Sequence, residues 1–210
     1  MKAMLLAIAT ISSACAGEFV DLFNGKDFAN WGAAGKAEQA GYEVKDGTIT
    51  STRKCRVLKT EKQYSNYVLQ FEFKLTSGAN NGLGIHYPGQ GDAAYTGMEI
   101  QILDNTHPKY AKLKDYQFHG GLYTLVAAKK GHLKPVGEWN KETVTINGPK
   151  VKVELNGNVI MEANLDEINK SNPKHKGAKR REGHIAFCGH GDIVSFKNIK
   201  IKELAAKKAK

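Results

Sequence analysis

A period of two in the apolar residues, broken by tight-turn dipeptides, constrains this chain more than any other feature. Residues 67–75 read YVLQFEFKL, so every second side chain is apolar. Successive side chains of a strand point to opposite faces, and such a run therefore predicts a strand with one buried face. Asp46-Gly47, Asn147-Gly148 and Asn156-Gly157 separate further short apolar runs. These dipeptides are typical of two-residue hairpin turns, and we expect short antiparallel strands.

At least ten short strands can be recognised. Besides residues 67–75, the clearest are 42–44, 48–50, 144–146, 151–155, 159–161, 183–187 and 193–201. Only residues 165–169 suggest a helical turn, and residues 105–118 and 127–138 are expected to be loops. Many short strands with closely spaced turns indicate a sandwich or barrel. With 210 residues, we predict one all-β domain, an antiparallel β-sandwich of jelly-roll type, over residues 17–204.

The first sixteen residues have the pattern of a secretory signal peptide. Met1-Lys2 precedes an apolar stretch from Ala3 to Ile11, and Ala14-x-Ala16 provides the small residues of a cleavage site. Cleavage after Ala16 predicts a periplasmic or secreted protein. A buried N-terminal helix and a lipid anchor at Cys15 are the alternatives. No apolar run reaches the ~18 residues of a membrane span.

Charge and cysteines carry less information about function. The net charge is +10, concentrated in residues 174–181 and 200–210, with residues 205–210 forming a basic tail. These clusters lack interleaved aromatic residues and any nucleic-acid-binding signature, so we interpret them as solvated faces, with no nucleic-acid partner. Cys55 and Cys188 could form a disulfide after export, but their strand-like surroundings favour buried free thiols.

Residues 97–104, GMEIQILD, are the segment most suggestive of chemistry. In a strand, Glu99 and Gln101 share one face while the intervening apolar residues share the other. Asp104 joins Glu99 only if a bulge intervenes. A carboxylate and an amide on an open sheet face suit a sugar ligand, although a solvated outer face would show the same alternation.

Neighbouring segments add polar and aromatic side chains. His86 lies near the end of the preceding strand, residues 80–87, and shares the face of Glu99 if residue 85 is buried. His119 and Tyr123 flank two glycines, and Lys134 and Trp139 lie in a loop-to-strand junction. A lone histidine is usually structural, but this set on adjacent strands favours a functional site.

The same residues carry a resemblance to a known family. In order, they are Leu22-Phe23-Asn24-Gly25-Lys26-Asp27, Trp31, Asp46-Gly47, Asn81-Gly82, residues 97–104, Gly121-Leu122-Tyr123, Lys134-Pro135, Gly137-Glu138-Trp139-Asn140, Leu155-Asn156-Gly157, His190-Gly191 and Val194-x-Phe196-x-Asn198-Ile199. Singly these are weak, but in this order and spacing they are specific. Over residues 19 to about 204, the chain resembles the 3-keto-disaccharide hydrolase family, long described only as domain of unknown function 1080.

The resemblance implies a concanavalin-A-like lectin or glucanase fold whose concave sheet holds the site. Glucanases with that fold carry the pattern E-x-D-x-x-E, where this chain has Glu99-x-Gln101-x-x-Asp104. Replacement of the middle acid by glutamine argues against an ordinary two-carboxylate glycosidase.

The activity implied is hydrolysis of glycosides already oxidised at sugar carbon 3, by elimination and then hydration. On this hypothesis His86 or Glu99 is the base, Lys134 stabilises the enolate, and Asp104 donates the proton or orients its donor. Sugar contacts are expected from Gln101, His119 and His190, with Trp139 or Tyr123 stacking on the ring.

Three alternatives remain open at this point. A divalent metal held by Glu99, Asp104 and His86 could polarise the carbonyl, although no contiguous ligand spacing supports it and no cofactor is otherwise expected. A non-catalytic carbohydrate-binding sandwich would use the same face, since fold does not fix function. A secreted scaffold acting through its basic ends would not need Glu99.

Overall fold

The computed structural model describes residues 17–33 and 40–205, which form two antiparallel sheets. The strands are β1 Val20–Asp21, β2 Trp31–Ala33, β3 Tyr42–Lys45, β4 Thr48–Ser51, β5 Val57–Thr60, β6 Tyr67–Leu75, β7 Asn80–Tyr87, β8 Met98–Leu103, β9 Trp139–Asn147, β10 Lys150–Leu155, β11 Asn158–Asn164, β12 His184–Cys188 and β13 Val194–Glu203. Two short helices, α1 Ala93–Thr96 and α2 Leu165–Ser171, connect strands. The predicted signal peptide, including Cys15, and residues 206–210 of the basic tail lie outside the described residues.

The larger sheet has the order β11-β10-β9-β6-β13-β4-β3, with β1 also paired to β13. The smaller sheet has the order β2-β5-β12-β7-β8. Both are antiparallel throughout their described pairs. The predicted all-β sandwich is therefore confirmed.

Two of the three predicted hairpin turns form with both residues at positive φ, whereas at Asn147-Gly148 only Gly148 is (φ 60°), since Asn147 still belongs to β9. Asp46 and Gly47 adopt φ of 50° and 71° between β3 and β4. Asn156 and Gly157 adopt φ of 50° and 86° between β10 and β11. Two consecutive left-handed residues match the twist of the flanking strands, which is why Asp-Gly and Asn-Gly are favoured there.

Alternation along the strands builds one continuous apolar core between the sheets. In β6 the odd-numbered side chains, from Tyr67 to Leu75, are buried and the even-numbered ones are half-buried. At the centre, the ring of Phe187 stacks on Phe196 at a centroid distance of 3.8 Å and on Trp31 at 5.2 Å. This stack joins β2 and β12 of the smaller sheet to β13 of the larger one.

Several connections differ from the sequence expectation. The helical turn predicted at residues 165–169 extends to Ser171, and α1 was not predicted. The predicted loops 105–118 and 127–138 contain no strand, although residues 108–110 and 115–117 form single 3-10 turns. Among the described residues, no helix is long and apolar enough to cross a membrane. Cys55 and Cys188 are both buried free thiols, as expected.

Replacing Phe187 by alanine should test the central stack. The Phe187 side chain is fully buried, and removing a buried phenylalanine costs about 3–5 kcal/mol of unfolding free energy. We expect a loss in that range in urea denaturation. Ile193→Ala, at a position 38% exposed, serves as the control and should change stability by less than about 0.5 kcal/mol. Equal effects of the two changes would contradict this account of the core.

Candidate functional site

The candidate site lies on the outer face of the smaller sheet, which is the face turned away from the larger sheet, at a place where glycines leave the surface without side chains. Met98, Ile100 and Ile102 of β8 point into the core, so Glu99 and Gln101 point outward. Their partners on β7 are both glycines, because Gly84 pairs with Glu99 and Gly82 with Gln101. This leaves a hollow in the sheet surface.

The Glu99 side chain fills part of that hollow. A Cβ atom built on Gly82 would lie 1.8 Å from Glu99 Oε1 and 2.5 Å from its Cδ. The carboxylate therefore lies flat across Gly82, and any side chain at residue 82 would displace it. Glu99 is only 4% exposed, which makes it a buried acid at the bottom of an open depression.

A polar cavity of about 300 Å³ lies above this carboxylate and is called the Glu99 cavity here. Its polar lining comes from Asn80, Asp92, Glu99, Gln101, Gln117 and His190, and its aromatic lining from Tyr95, Tyr110 and Tyr123. Tyrosine rings present an apolar face together with a hydroxyl group. Few polar groups converging among aromatic walls are typical of a site for a small polar ligand.

Glu99 and His190 form the central pair of the cavity. His190 Nε2 lies 3.2 Å from Glu99 Oε1. The hydrogen bond to Glu99 raises the pKa of His190 above 6.5, against the opposing effect of burial. This contact favours the protonated form of the imidazole, and the His190 side chain is 43% exposed. The second oxygen of the carboxylate, Glu99 Oε2, has no hydrogen-bond partner among the described residues.

The remaining polar groups are held in fixed orientations. Gln101 Nε2 donates to Asn80 Oδ1 at 3.2 Å. Gln117 Nε2 donates to the Tyr123 hydroxyl at 3.3 Å, next to the edge-on ring of Tyr116. Such pairs leave donors and acceptors free for a polar ligand.

Cys188 lies beneath the cavity rather than in it. Its sulfur would be 3.2 Å from a Cβ atom built on Gly84. Burial, with a further contribution from the Glu99 carboxylate, raises the pKa of the thiol well above 9.0. Because the thiolate is the nucleophilic form, Cys188 acts here as a small apolar residue.

The structure brings together four of the residues predicted for the site: Glu99, Gln101, Tyr123 and His190. His86 does not join them. In the pairing of β7 with β12, His184 faces Tyr87 and Ala186 faces Gly84, so Ile185 opposes two residues.

This bulge changes the direction of His86, which adopts a φ of 50° and is fully buried. Burial lowers its pKa to about 4. Backbone groups of Ser65 and Arg180 lie nearby, but neither ring nitrogen makes a well-formed hydrogen bond within the described chain. His86 is a neutral core histidine here, away from Glu99.

Asp104 is placed in a turn, because β8 pairs with β7 without the bulge that would be needed to turn it outward. Its carboxylate accepts from Gly78 N at 2.8 Å and from Thr106 N and Oγ1 at 3.0 and 2.6 Å. Burial opposes these bonds, but together they lower the pKa of Asp104. The carboxylate of Asp104 thus links the turn at Gly78 to the turn at Thr106, and it does not line the Glu99 cavity.

The possible metal ligands Glu99, Asp104 and His86 thus do not converge. Within residues 17–33 and 40–205, no group of three or more histidine, cysteine or acidic side chains is arranged to hold a metal ion.

His119 points into the core instead of the cavity. Its ring packs on Phe73 at 5.0 Å, and its Nε2 atom lies 3.1 Å from Glu142 Oε2, without the geometry of a hydrogen bond. The alternation of β9 places Glu142 on the inner face. His119 precedes a segment that bonds β8 through Gly120 N to Gln101 O at 2.8 Å, so it anchors the cavity wall from inside.

Lys134 and Trp139 also lie away from the cavity. Lys134 is exposed on the loop of residues 127–138, and its backbone N–H donates to Asn140 Oδ1. Trp139 lies on the outer face of the larger sheet, between Lys74 Nζ at 4.9 Å and Lys197 Nζ at 4.1 Å. Because Trp139 begins β9 on its outward-facing side, it cannot stack on a ligand of the smaller sheet.

The sequence reasoning missed the roof of the cavity. Asp92 and Tyr95 come from the α1 segment, which begins where Asp92 Oδ1 accepts the N–H of Ala94. An aspartate before two alanines is a helix-start signal that the sequence contains. Tyr110 and Gln117 come from 3-10 turns in the loop of residues 105–118, where the sequence offers no comparable periodicity.

The β-sandwich thus carries a buried carboxylate, a histidine and tyrosines around a hollow in its smaller sheet, and comparisons with known proteins give the class of protein. A solved structure from Parabacteroides distasonis, described provisionally as a glycosyl hydrolase, superposes with a TM-score of 0.80 at 28% identity, covering 90% of this chain and 94% of the other. A 3-keto-disaccharide hydrolase of Bacteroides thetaiotaomicron is 26% identical over 89% of this chain and 78% of its own length.

The family pattern of the 3-keto-alpha-glucoside-1,2-lyase-like domain matches residues 18–202. The chain belongs to this family, and the resemblance drawn from its motifs is confirmed. Its family membership makes it a glycoside hydrolase-like protein. The carbohydrate-binding module CBM66 of Bacillus subtilis has the same fold, with a TM-score of 0.55 at 12% identity.

The Glu99–His190 pair can be tested by NMR titration of His190. We expect a pKa above 6.5, returning toward that value in Glu99→Gln. Because the folded-state pKa is the higher one, the pair contributes stability below pH 6.5 that is lost as the pH rises through the folded-state pKa. A His190 pKa unchanged by Glu99→Gln would contradict the pairing.

Proposed function

We propose that the Glu99 cavity cleaves glycosides whose sugar ring is oxidised at carbon 3. The observation that carries the proposal is the Glu99 carboxylate, buried in a sugar-sized polar hollow with Oε1 bonded to His190 and Oε2 unpartnered among the described residues. Membership of the family, whose relative in Bacteroides thetaiotaomicron is named a 3-keto-disaccharide hydrolase, supports this substrate class.

The chemistry needs a base above all. A carbonyl at carbon 3 makes the hydrogen on carbon 2 acidic, and Glu99 Oε2 takes it to form an enolate. The enolate electron pair then forms the double bond between carbons 1 and 2, the carbonyl is restored, and the bond from carbon 1 to the aglycone oxygen breaks. Water adds to carbon 1 while carbon 2 regains a proton, so the net reaction is hydrolysis.

His190 supplies the proton that the departing oxygen requires. Its contact with Glu99 raises its pKa above 6.5, which favours the protonated imidazole that an acid next to the base requires. This division into a carboxylate base and an imidazole acid differs from that of a two-carboxylate glycosidase, where both catalytic groups are Asp or Glu side chains. Proton transfer from a positioned group contributes about 10²–10⁴-fold to the rate.

Gln101 and Asn80 are proposed to bind ring hydroxyls, and Tyr123 with Tyr95 to pack on the sugar faces. The predicted signal peptide, residues 1–16, would export the protein to the periplasm or beyond, where glycosides from outside the cell arrive. His86, Asp104, His119, Lys134 and Trp139 have no part in this scheme, because none of them lines the cavity.

The decisive experiment compares a 3-keto-disaccharide with the same disaccharide unoxidised, following free sugars by NMR. Release of products from the oxidised sugar alone is expected. Comparable cleavage of both would indicate a conventional glycosidase, and saturable binding without release would indicate a carbohydrate-binding module. Repeating the assay after dialysis against EDTA tests whether a divalent ion takes part.

Two variants separate the proposed base from the proposed acid. Glu99→Gln should lower kcat by about 10²–10⁴-fold and abolish deuterium exchange at carbon 2 in heavy water. His190→Gln should retain that exchange. Its loss in kcat should be large for a poor alkyl leaving group and small for nitrophenol, which needs no protonation. Equal losses for both leaving groups would remove His190 from the role of acid.

Gly82→Ala tests the hollow without replacing any polar side chain. The added methyl would overlap the carboxylate of Glu99, so we expect kcat to fall at least about 10²-fold, as for loss of a positioned base. Gly32→Ala is the matched control, because a Cβ there meets nothing within 4 Å, and it should retain activity. A fully active Gly82→Ala variant with an unchanged His190 pKa would refute this geometry.

A further inference from the structure

A second depression lies beside the Glu99 cavity and is called the basic trough here. It has a volume of about 730 Å³ and is lined by Arg53, Lys54, Cys55, Arg56 and residues 189–191. His190 lines both depressions. A single imidazole therefore separates the buried carboxylate from three cationic side chains.

The turn that carries these cations is fixed against the end of β12. Cys55 Sγ accepts the N–H of Gly191 at 3.3 Å, and Gly189 N donates to Arg56 O at 2.8 Å. The close approach requires a glycine at residue 189, where an added Cβ would lie 2.4 Å from Cys55 Sγ. Arg53, Lys54 and Arg56 thus project from an immobilised turn, which reduces the entropy lost when they bind a ligand.

The positive charge of the trough is not neutralised within the described residues. Seven other lysines and arginines form ion pairs with acids, but Arg53, Lys54 and Arg56 form none. Asp192, which follows Gly191, lies 3.6 Å from Lys109 Nζ, and Glu99 bonds to His190. Three exposed cations around a concave surface favour an anion.

We propose that the basic trough is the subsite for the leaving group and that it selects aglycones bearing an anionic group, such as a carboxylate or a sulfonate. This inference rests on the proposed function, in which His190 protonates the aglycone oxygen. An aglycone attached at that oxygen and extending past His190 enters the trough, while the oxidised ring remains over Glu99.

Matched substrates isolate the charge from leaving-group chemistry. The 3-keto-glucosides of 4-(carboxymethyl)phenol and 4-(sulfomethyl)phenol are compared with the neutral carboxamide analogue. At low salt we expect the anionic substrates to have a KM about five- to tenfold lower, with the difference disappearing near 0.5 M sodium chloride, about where screening is complete over these distances. A preference for only one anion narrows the class to that group.

The double variant Arg53→Gln/Arg56→Gln should abolish the preference while leaving kcat/KM for the carboxamide within about twofold, because the neutral aglycone has no charge for these cations to attract. Lys26→Gln/Lys45→Gln removes the same charge from exposed residues outside the trough and should preserve the preference. Equal KM values for charged and neutral substrates, or equal effects of the two double variants, would overturn the trough as an anion subsite.

If no 3-keto-glucoside is cleaved, the proposed function is refuted, but the anion site in the basic trough can still be tested. Calorimetric titration with the unoxidised 4-(carboxymethyl)phenyl glucoside and its carboxamide then measures binding directly. Tighter binding of the anion that disappears in Arg53→Gln/Arg56→Gln supports the trough as an anion site. Equal affinity in the unchanged protein refutes it.

Discussion

The site depends on an absence of side-chain volume at residue 82. On a flat sheet the Glu99 side chain would extend into solvent. Because residue 82 is a glycine, the Glu99 side chain instead packs flat against the sheet, almost inaccessible to solvent, with one oxygen hydrogen-bonded to His190. Buried polar groups need hydrogen-bond partners, and His190 provides one for Glu99 while its own pKa is raised. One glycine therefore determines where the Glu99 carboxylate lies and, through its hydrogen bond, why the pKa of the neighbouring imidazole is raised.

Much of the fold could be predicted because it follows from local rules. Alternation identified the β6 strand with its bounds, and the Asp46-Gly47 and Asn156-Gly157 dipeptides identified hairpins through their positive φ. The same alternation placed Glu99 and Gln101 on one face. What local rules could not supply was which outward face is hollowed and covered. Trp139 occupies an outward-facing position of its strand, as Glu99 does, yet it lies on the outer face of the opposite sheet.

The misplaced residues share a physical explanation. His86 was assigned by counting from Ile85, but a one-residue bulge opposite Ile185 cancels such counting. Asp104 was assigned by assuming a bulge that β8 lacks. His119 was assigned by proximity to glycines, whereas its orientation follows from Glu142, an acid that the pattern of β9 buries. Bulges and buried polar pairs arise from long-range packing, and a single sequence does not record them.

The floor and the roof of the Glu99 cavity have separate origins in the chain. The floor comes from β7, β8 and β12, whose opposite faces form the core around Phe187, so changes there affect stability as well as chemistry. The roof comes from the α1 segment and the loop of residues 105–118, which contribute Tyr95 and Tyr110 without belonging to a sheet. Natural variants can therefore exchange the roof by insertion or deletion at little thermodynamic cost. Variation in substrate range within the family is expected to be concentrated in these two connections.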